Sequence, residues 1–393
     1  MKPARAWWAL GGLVLLLVWG GAVRAGAAEE ARIEALFTQK IESSWFAPDF
    51  LAKVPAAQVA AIVKQLSGSL GAFEGVRPEG SDYVAVFEQG EAPVSLSLDA
   101  SGRIAGLFFK PPRPRLASLA EAKKRMEAWP GAKQLLVLKD GRPLVQLEDE
   151  RRLAVGSAFK FSVLAAVLDA VEGGALAWDR TVKLNEDQKS LPSGSLQDWP
   201  AGTPLTLADL VGRMMAESDN TAADHLIHLL GRERVEVYAY ENVPLLTTRA
   251  AFVLKANPEL RRRWLEASRA ERRKLVAQAE SRPLPSLAEL MAALPETEVE
   301  WFYSARELCE LALRALDTPL AGINPGLARR EAWKQVAFKG GSEPGVLNLT
   351  TALVDEAGSR YCVAATWNAE NLDENAFYGL YGAVLERLAR ERP

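Results

Sequence analysis

The stretch Val155-Gly-Ser-Ala-Phe-Lys160 and the apolar run that follows it decide the fold of the larger part of this chain. The run 161–171 is rich in alanine, leucine and valine, and its length favours a helix over a strand. Gly173 and Gly174 then predict the end of that helix. Because nearly every position of the run is apolar, we expect this helix to be buried on all sides at the centre of a domain.

Ser157 and Lys160 lie three residues apart at the start of this helix and therefore share one face. A serine in the first turn lies beside unpaired backbone amides and the positive end of the helix dipole. A lysine within reach of the hydroxyl can remove its proton, so the pair is a candidate nucleophile and base. The same pattern also fits a helix cap followed by a lysine whose ammonium reaches the surface.

Two later segments carry side chains of related chemistry. Ser218-Asp-Asn220 opens a predicted helix and offers a second hydroxyl, together with an amide that both donates and accepts hydrogen bonds. Lys339-Gly-Gly-Ser342 reads as a strand with two glycines where the backbone must approach another segment closely, and its lysine supplies a second cation. Taken singly, the first is also an ordinary helix cap, and the second is a strand-end lysine before a turn.

Together and in this order, Ser157-x-x-Lys160, Ser218-Asp-Asn220 and Lys339-Gly-Gly341 resemble the three-motif signature of penicillin-recognising serine enzymes. The sequence around each motif and the separation of the first two are also similar to class A β-lactamases. The resemblance covers roughly residues 118–393. The layout is similar to a two-domain branch of the family, which includes a protein of the clavulanic acid cluster and places a small module before the catalytic-type domain.

The resemblance implies an α+β fold, in which an antiparallel sheet is flanked by helices and accompanied by an all-helical subdomain. By position, it implies that Ser157 is the acylated nucleophile, that Lys160 accepts its proton and that Ser218 relays the proton to the leaving nitrogen. It also implies a set of substrate-binding residues, namely Asn220, Lys339, Gly341 and Ser342.

Each of these binding residues has an implied task. Asn220 would hold the amide side chain of the substrate, and Lys339 would anchor a substrate carboxylate. The backbone amides of Ser157 and Ser342 would form the oxyanion hole, which contributes about 3–4 kcal/mol per donor in comparable sites.

The sequence departs from the family pattern at two places. Gly340 stands where the family usually has a threonine or serine after the lysine, so that only Ser342 could supply a hydroxyl there. The family's Ω-loop glutamate, which activates the deacylating water, is also missing, because 243–249 contains no carboxylate. Glu241 and Glu259 are near in sequence, but neither lies in a matching motif. We therefore expect an acyl-enzyme that forms and then hydrolyses slowly.

The N-terminal part of the chain reads as a small α+β module with no cluster of titratable residues. Helical spacing and alternating apolar residues predict two helices and three short strands, at 31–46, 55–66, 83–87, 94–98 and 103–109. Their order is loosely similar to the cystatin-like or NTF2-like modules attached to some exported hydrolases. The predicted divisions of the chain are a signal peptide, the module, a stiff proline-rich linker and the β-lactamase-like domain, at 1–27, 29–110, 111–117 and 118–393.

The first residues indicate export. Lys2 and Arg5 precede an apolar block at 7–18, and a stretch of small residues ends near Ala27, which is typical of a cleaved signal peptide. An uncleaved membrane anchor is the alternative. In both cases the working domains are expected outside the cytoplasm, in the periplasm or secreted.

Composition limits the partners and cofactors. The 393 residues carry a net charge of only −3, which gives no indication of nucleic-acid binding. The chain has two cysteines, Cys309 and Cys362, which either form a disulfide in an oxidising compartment or remain as two buried thiols. With only two histidines as well, we expect no metal and no other cofactor.

These observations predict an exported serine hydrolase that forms an acyl-enzyme with a β-lactam, peptide or ester, and that acts as a monomer. A catalytically weak, penicillin-binding-like protein of the cell envelope, acting through its N-terminal module, is the alternative. The charged segment 257–280 is predicted to be one additional helix, which is either a solvated face or a lid over the site.

Overall fold

A computed structural model of the chain describes residues 26–391. The chain forms two compact units, one ending at Arg115 and one beginning at Leu116. The predicted signal peptide 1–27 lies outside the described residues except for its last two positions. Within residues 26–391, no helix combines the length and the apolar character needed to cross a bilayer.

The N-terminal unit packs helices against an antiparallel sheet with the strand order β1-β2-β3-β4, and β5 pairs with the free part of β3. Its apolar core lies between helix α1 and the sheet and includes Ile33, Tyr83 and Phe87. The elements are α1 Ala27–Thr38, α2 Pro48–Leu51, α3 Ala56–Leu70, β1 Phe73–Glu79, β2 Asp82–Phe87, β3 Gly90–Leu98, β4 Ile104–Phe109 and β5 Arg113–Pro114.

Three sequence-based expectations for this unit need correction. The helix predicted for 31–46 ends at Thr38, because Phe46 leaves the helical path to bridge Ile104 of β4, and Ala47 donates its amide to the same residue. The sequence pattern predicts no strand at β1, since its side chains are mostly half-buried and give no clear alternation. Part of the predicted linker is strand β5, which an Arg113–Glu79 ion pair of 2.9 Å ties to β1.

The larger unit is built on a five-stranded antiparallel sheet with the order β12-β13-β14-β6-β7. Its elements are α4 Leu119–Glu127, β6 Ala132–Lys139, β7 Arg142–Leu147, β8 Leu153–Ala154, α5 Lys160–Glu172, β9 Thr181–Lys183, β10 Pro204–Thr206, α6 Leu207–Ala216, α7 Asn220–Leu230, α8 Arg232–Glu236, α9 Thr248–Ala256, α10 Pro258–Glu266, α11 Arg269–Glu280, α12 Leu287–Ala293, β11 Phe302–Tyr303, α13 Ala305–Ala315, β12 Gln335–Glu343, β13 Val346–Val354, β14 Arg360–Asn368 and α14 Glu374–Arg390.

Strands from distant parts of the chain meet in this sheet. β6 pairs with β14 over its whole length, and β13 is buried at every position. One face of the sheet packs on α4 and α14, and the other packs on α5, α13 and the helical subdomain. The predicted α+β architecture is confirmed.

The central helix α5 is buried as predicted. Ten of its residues have little or no exposed surface, and the helix ends at Glu172, before Gly173 and Gly174. A 3₁₀ turn, Gly156–Phe159, leads into it, so Ser157 lies in the turn and Lys160 is the first residue of the α-helix.

The charged segment 257–280 forms two helices rather than the single helix predicted. Ala267 is extended, and Ser268 starts α11 with a capping box in which Ser268 and Glu271 satisfy each other's backbone amides. The segment is also not simply a solvated face, because Leu260 and Trp264 of α10 are buried in the core of the unit.

A disulfide joins Cys309 of α13 to Cys362 of β14. Both residues are fully buried, and the bond connects the helical layer to the middle of the sheet. The structure therefore has the first of the two states that the sequence leaves open for these cysteines.

We expect loss of this disulfide to lower the free energy of unfolding by about 2–4 kcal/mol, because the bond closes a long loop in the unfolded chain. The double variant Cys309→Ala/Cys362→Ala and the wild-type protein, with and without reductant, should be unfolded in urea. Reductant should shift the wild-type midpoint and leave that of the variant unchanged. Equal midpoints for the oxidised wild type and the variant would contradict this expectation.

Candidate active site

The turn that carries Ser157 is fixed by its neighbours. Gly156 has a φ of +52°, a conformation that favours glycine, and its amide donates to Oε2 of Glu300 at 3.2 Å. The ring of Phe159 stacks on Trp301 with a centroid separation of 4.1 Å. Ser157 is half-buried while the residues on both sides of it are buried, so this turn presents one accessible hydroxyl on a rigid support.

The amine of Lys160 contacts three of the residues predicted to form the site, namely Ser157, Ser218 and Asn220. Its Nζ lies 3.2 Å from Oγ of Ser157 and 3.2 Å from Oγ of Ser218, and it also contacts the backbone oxygen of Ser218 at 2.5 Å and Oδ1 of Asn220 at 2.6 Å. The side chain has no exposed surface. Two hydroxyls from separate parts of the chain therefore share one buried amine.

The surroundings of Lys160 favour the neutral amine. Burial lowers the pKa of Lys160 well below its ordinary value, and the positive charge of Lys339 lowers it further. A neutral amine has two N–H groups and one lone pair. The backbone oxygen of Ser218 and Oδ1 of Asn220 can only accept, so they take the two N–H groups. The lone pair is then left for a serine hydroxyl, which is the arrangement a proton acceptor needs.

Ser218 is held in an uncommon backbone conformation. Its φ is +59°, in the left-handed region that non-glycine residues seldom adopt. Two donors hold the peptide oxygen in place, because Ser193 Oγ binds it at 2.6 Å and Lys160 binds it as well. These contacts therefore stabilise the strained backbone conformation, in which the Ser218 hydroxyl lies beside Lys160.

Asp219 and Asn220 anchor the start of helix α7. Asp219 accepts from the amides of Ser195, Leu196 and Ala222 and so joins α7 to the preceding loop. Asn220 is buried, and its amide group donates to the backbone oxygen of Leu191 at 3.0 Å while its oxygen accepts from Lys160. In the structure Asn220 orients the lysine, and its predicted contact with a substrate amide stays a prediction.

Strand β12 runs against the nucleophile turn at Gly341. A Cβ at this position would lie 2.1 Å from the backbone oxygen of Val155 and 2.5 Å from the amide nitrogen of Ser157. Only glycine permits this approach, as the sequence predicts. Because side chains alternate along a strand, Lys339 points to the same face of β12 as the missing side chain of Gly341, which is the face of the nucleophile turn.

Lys339 brings a second buried amine to this face. It is 4% exposed, and its Nζ donates to the backbone oxygen of Gly340 at 2.7 Å. Burial lowers the pKa of Lys339 to about 7. Its charge is therefore close to half-populated at neutral pH and should respond strongly to a bound anion.

The two positions around Gly341 differ in what they can contribute. A Cβ at Gly340 would lie 3.0 Å from Leu349 and 3.1 Å from the backbone oxygen of Asn348, so there is little room for the hydroxyl side chain usual in the family. Ser342 lies on the same side of the strand as Gly340 and is exposed. Of these two positions, Ser342 is the one that presents a hydroxyl.

The segment 243–249, which would hold the Ω-loop glutamate, is tied to helix α7 instead. Asp224 is fully buried and accepts from the amides of Thr248 and Arg249 at 2.7 and 2.8 Å and from the Thr248 hydroxyl at 2.9 Å. Its carboxylate is therefore occupied by structural contacts. Glu241 and Glu259 are both exposed. This segment therefore offers no carboxylate that replaces the missing Ω-loop glutamate.

The sequence did not reveal several residues that support the site. Ser193 lies in a loop of small residues without any motif, and Trp301 and Glu300 are far from Ser157 in the chain. Nothing in their local sequence distinguishes them from core or surface residues. Among residues 26–391, no group of three or more His, Cys, Asp or Glu side chains is placed to hold a metal ion.

An antiparallel sheet flanked by helices, with an all-helical subdomain and a serine–lysine pair at the start of its central helix, defines the class of β-lactamase-like serine hydrolases. Comparison with known proteins agrees with this class, since the sequence matches the beta-lactamase enzyme family over residues 116–382. Because the match spans more than half of its length, this chain belongs to the beta-lactamase enzyme family.

Individual relatives are distant. Over 90 residues, the chain is 28% identical to beta-lactamase VEB-1 of Pseudomonas aeruginosa, which covers 22% of this chain and 30% of the relative. The match thus spans less than a third of that protein. A β-lactamase of Sphaerobacter thermophilus DSM 20745 aligns over 70% of this chain and 99% of its own, with 22% identity and a TM-score of 0.48. PBP-A aligns over 71% and 99%, with 16% identity and a TM-score of 0.47.

Proposed function

We propose that this protein is an exported serine hydrolase that forms an acyl-enzyme with a β-lactam, amide or ester, and that it turns β-lactams over slowly. The observation that carries the proposal is the position of Lys160, whose buried amine lies 3.2 Å from the hydroxyls of both Ser157 and Ser218. The family supports the reaction class, and the geometry is consistent with the residue roles that the resemblance implies.

In the acylation step, Ser157 Oγ forms a bond to the substrate carbonyl carbon while Lys160 takes the hydroxyl proton. The carbonyl oxygen becomes an oxyanion, which the backbone amides of Ser157 and Ser342 stabilise as donors. The tetrahedral intermediate collapses when the carbon–nitrogen or carbon–oxygen bond breaks. The leaving atom then receives a proton through Ser218, which shares the lysine with the nucleophile.

Lys339 gives the site its preference for acids. Its buried ammonium lies on the same face of β12 as the nucleophile turn and would bind a substrate carboxylate. Burial lowers the pKa of Lys160, and the same positive charge lowers it further. Lys339 thus acts on both binding and proton transfer.

Slow deacylation follows from the segment 243–249. It contains no carboxylate, and Asp224, which contacts this segment, is fully engaged by backbone amides and a hydroxyl. A water molecule that attacks the acyl-enzyme would lack a dedicated base, so hydrolysis should be the slow step.

A fluorescent penicillin tests the proposal. The purified mature protein should become covalently labelled and lose the label slowly after excess reagent is removed. Rapid loss of label would contradict slow turnover. If neither a penicillin nor a simple activated ester labels the folded protein, the hydrolase proposal is wrong and a binding role in the cell envelope, through the N-terminal module, becomes the better account.

The charge on Lys339 predicts a pH dependence that is specific to acidic substrates. Lys339 is mostly cationic below its pKa of about 7 and mostly neutral above it. From about pH 6 to about pH 8, the efficiency of acylation by a carboxylate-bearing penicillin should therefore fall about tenfold relative to that by a neutral ester.

The ratio of the acylation efficiency for the penicillin to that for the ester does not depend on the protonation of Lys160, because that protonation affects both substrates alike. Lys339→Met should give a ratio that does not change with pH. A wild-type ratio that is flat over the same range would exclude Lys339 as the carboxylate anchor.

The disulfide supports export. Disulfides persist in oxidising compartments and are rare in the cytoplasm. The Cys309–Cys362 bond and the signal-like sequence before Ala27 together favour a periplasmic or secreted protein. Fractionation of the source cells, with antibody detection of the mature chain, would test this, and recovery in the cytoplasmic fraction would contradict it.

A further inference from the structure

A buried cluster of charged residues lies behind the nucleophile turn and is not used in the proposed chemistry. Nζ of Lys255, on α9, lies 2.6 Å from Oε1 of Glu300 and 2.5 Å from Oε1 of Glu343, which is the last residue of β12. The side chains of Lys255 and Glu300 are 1% and 0% exposed, and that of Glu343 is 16% exposed. A buried ion cluster is costly, so its position calls for a physical reason.

The cluster contacts both the nucleophile turn and strand β12. Oε2 of Glu300 accepts from the amide of Gly156, the residue directly before Ser157. Glu343 directly follows Ser342 on β12. The Ser157 amide therefore follows a residue that Glu300 binds, and the Ser342 amide precedes Glu343, which is itself part of the cluster. Lys255 joins the two sides, because it binds both Glu300 and Glu343.

The charges within the cluster balance. Burial opposes the ionisation of Glu300, but Lys255 and hydrogen bonds from Glu343 and Trp301 lower its pKa below the ordinary value. Burial and the negative charge of Glu300 raise the pKa of Glu343 to about 9. The cluster thus holds one cation, one carboxylate and one protonated carboxyl at neutral pH, and adds no net negative charge beside the oxyanion.

We propose that Lys255, Glu300 and Glu343 form a buried clamp that fixes the spacing between the amides of Ser157 and Ser342, so that both can donate to one carbonyl oxygen. This inference rests on the proposed function, because it deepens the account of the same site. The three are positioning residues, since they act through the turn and the strand. Displacing one donor by a fraction of an ångström weakens transition-state binding more than substrate binding.

The test measures acylation by a fluorescent penicillin, separating the limiting rate constant from the half-saturating concentration. Lys255→Met should lower the limiting rate about 10- to 100-fold, while the half-saturating concentration stays within about threefold. Glu343→Ala keeps the neutral Lys255–Glu300 pair and removes only the arm to β12, so it serves if Lys255→Met does not fold. It should show the same split.

Two further variants distinguish positioning from a general loss of stability. Glu343→Gln keeps the acceptor for Lys255 and a donor for Glu300, and it should restore the rate lost in Glu343→Ala to within about threefold of wild type. Lys110→Met removes a 2.7 Å ion pair with Asp82 in the N-terminal unit and should leave the limiting rate unchanged. A folded Lys255→Met or Glu343→Ala protein with a wild-type rate, or an absence of rescue by glutamine, would overturn the clamp.

Hydrogen–deuterium exchange gives a readout that does not need acylation. Loss of Lys255 or of the Glu343 carboxyl should speed exchange in the peptides that cover 154–160 and 341–345, compared with wild type and Lys110→Met. Unchanged protection in both peptides would overturn the proposal. If the wild-type protein is not acylated at all, the proposed function fails by itself, and the exchange data alone then decide whether the clamp exists.

Discussion

Ser157→Ala is expected to abolish covalent labelling by a fluorescent penicillin and to lower acyl-transfer activity at least about 10³-fold, because it removes the atom that we propose bonds to the substrate. The protein should remain folded, since the substitution deletes one half-buried hydroxyl from a turn that Gly156 and Phe159 hold in place. Time courses of labelling for both proteins, with melting temperatures measured in parallel, provide the comparison.

The matched control for this variant is Ser193→Ala, which removes a hydroxyl that binds the backbone of Ser218 and has no assigned bond-forming role. It should label more slowly than wild type but still label. Equal labelling of wild type and Ser157→Ala would mean that another residue is the nucleophile.

Lys160→Met should lower the limiting acylation rate about 10³- to 10⁴-fold, which is the upper range for loss of a general base. Methionine has a similar length and no charge, so it can occupy a site that has no exposed surface. The proposed carboxylate anchor, Lys339, stays in place, so the half-saturating penicillin concentration should change little. Rapid-mixing measurements of labelling at several penicillin concentrations separate the two quantities.

Lys110→Met again supplies the control, because it makes the same substitution in the N-terminal unit and should leave the rate unaltered. An acylation rate for Lys160→Met within about tenfold of wild type would show that the proton leaves Ser157 by another route.

Much of the larger unit follows from its sequence because its signals are local and strong. The apolar run after Lys160 and the paired glycines mark a buried helix, which the structure has. The spacing of Ser157 and Lys160 already places both on one face. For the same reason, the glycine at 341 could be assigned to a close backbone contact, which the structure confirms.

Other features depend on contacts between distant residues and leave no local pattern. Helix α1 ends early because Phe46 pairs with Ile104, more than fifty residues away. The division of 257–280 into two helices had a readable signal in the capping box that begins at Ser268. The proposed clamp around Lys255 has no such signal, since its two glutamates lie 45 and 88 residues further along the chain.

The position of the acyl group tests the central claim most directly. The protein should be mixed with a penicillin, quenched within the lifetime of the adduct, digested, and analysed by mass spectrometry. We predict one covalent adduct, located on Ser157 in the peptide that also contains Lys160. An adduct on any other residue, or unmodified protein under conditions in which the chain is folded, would contradict the account.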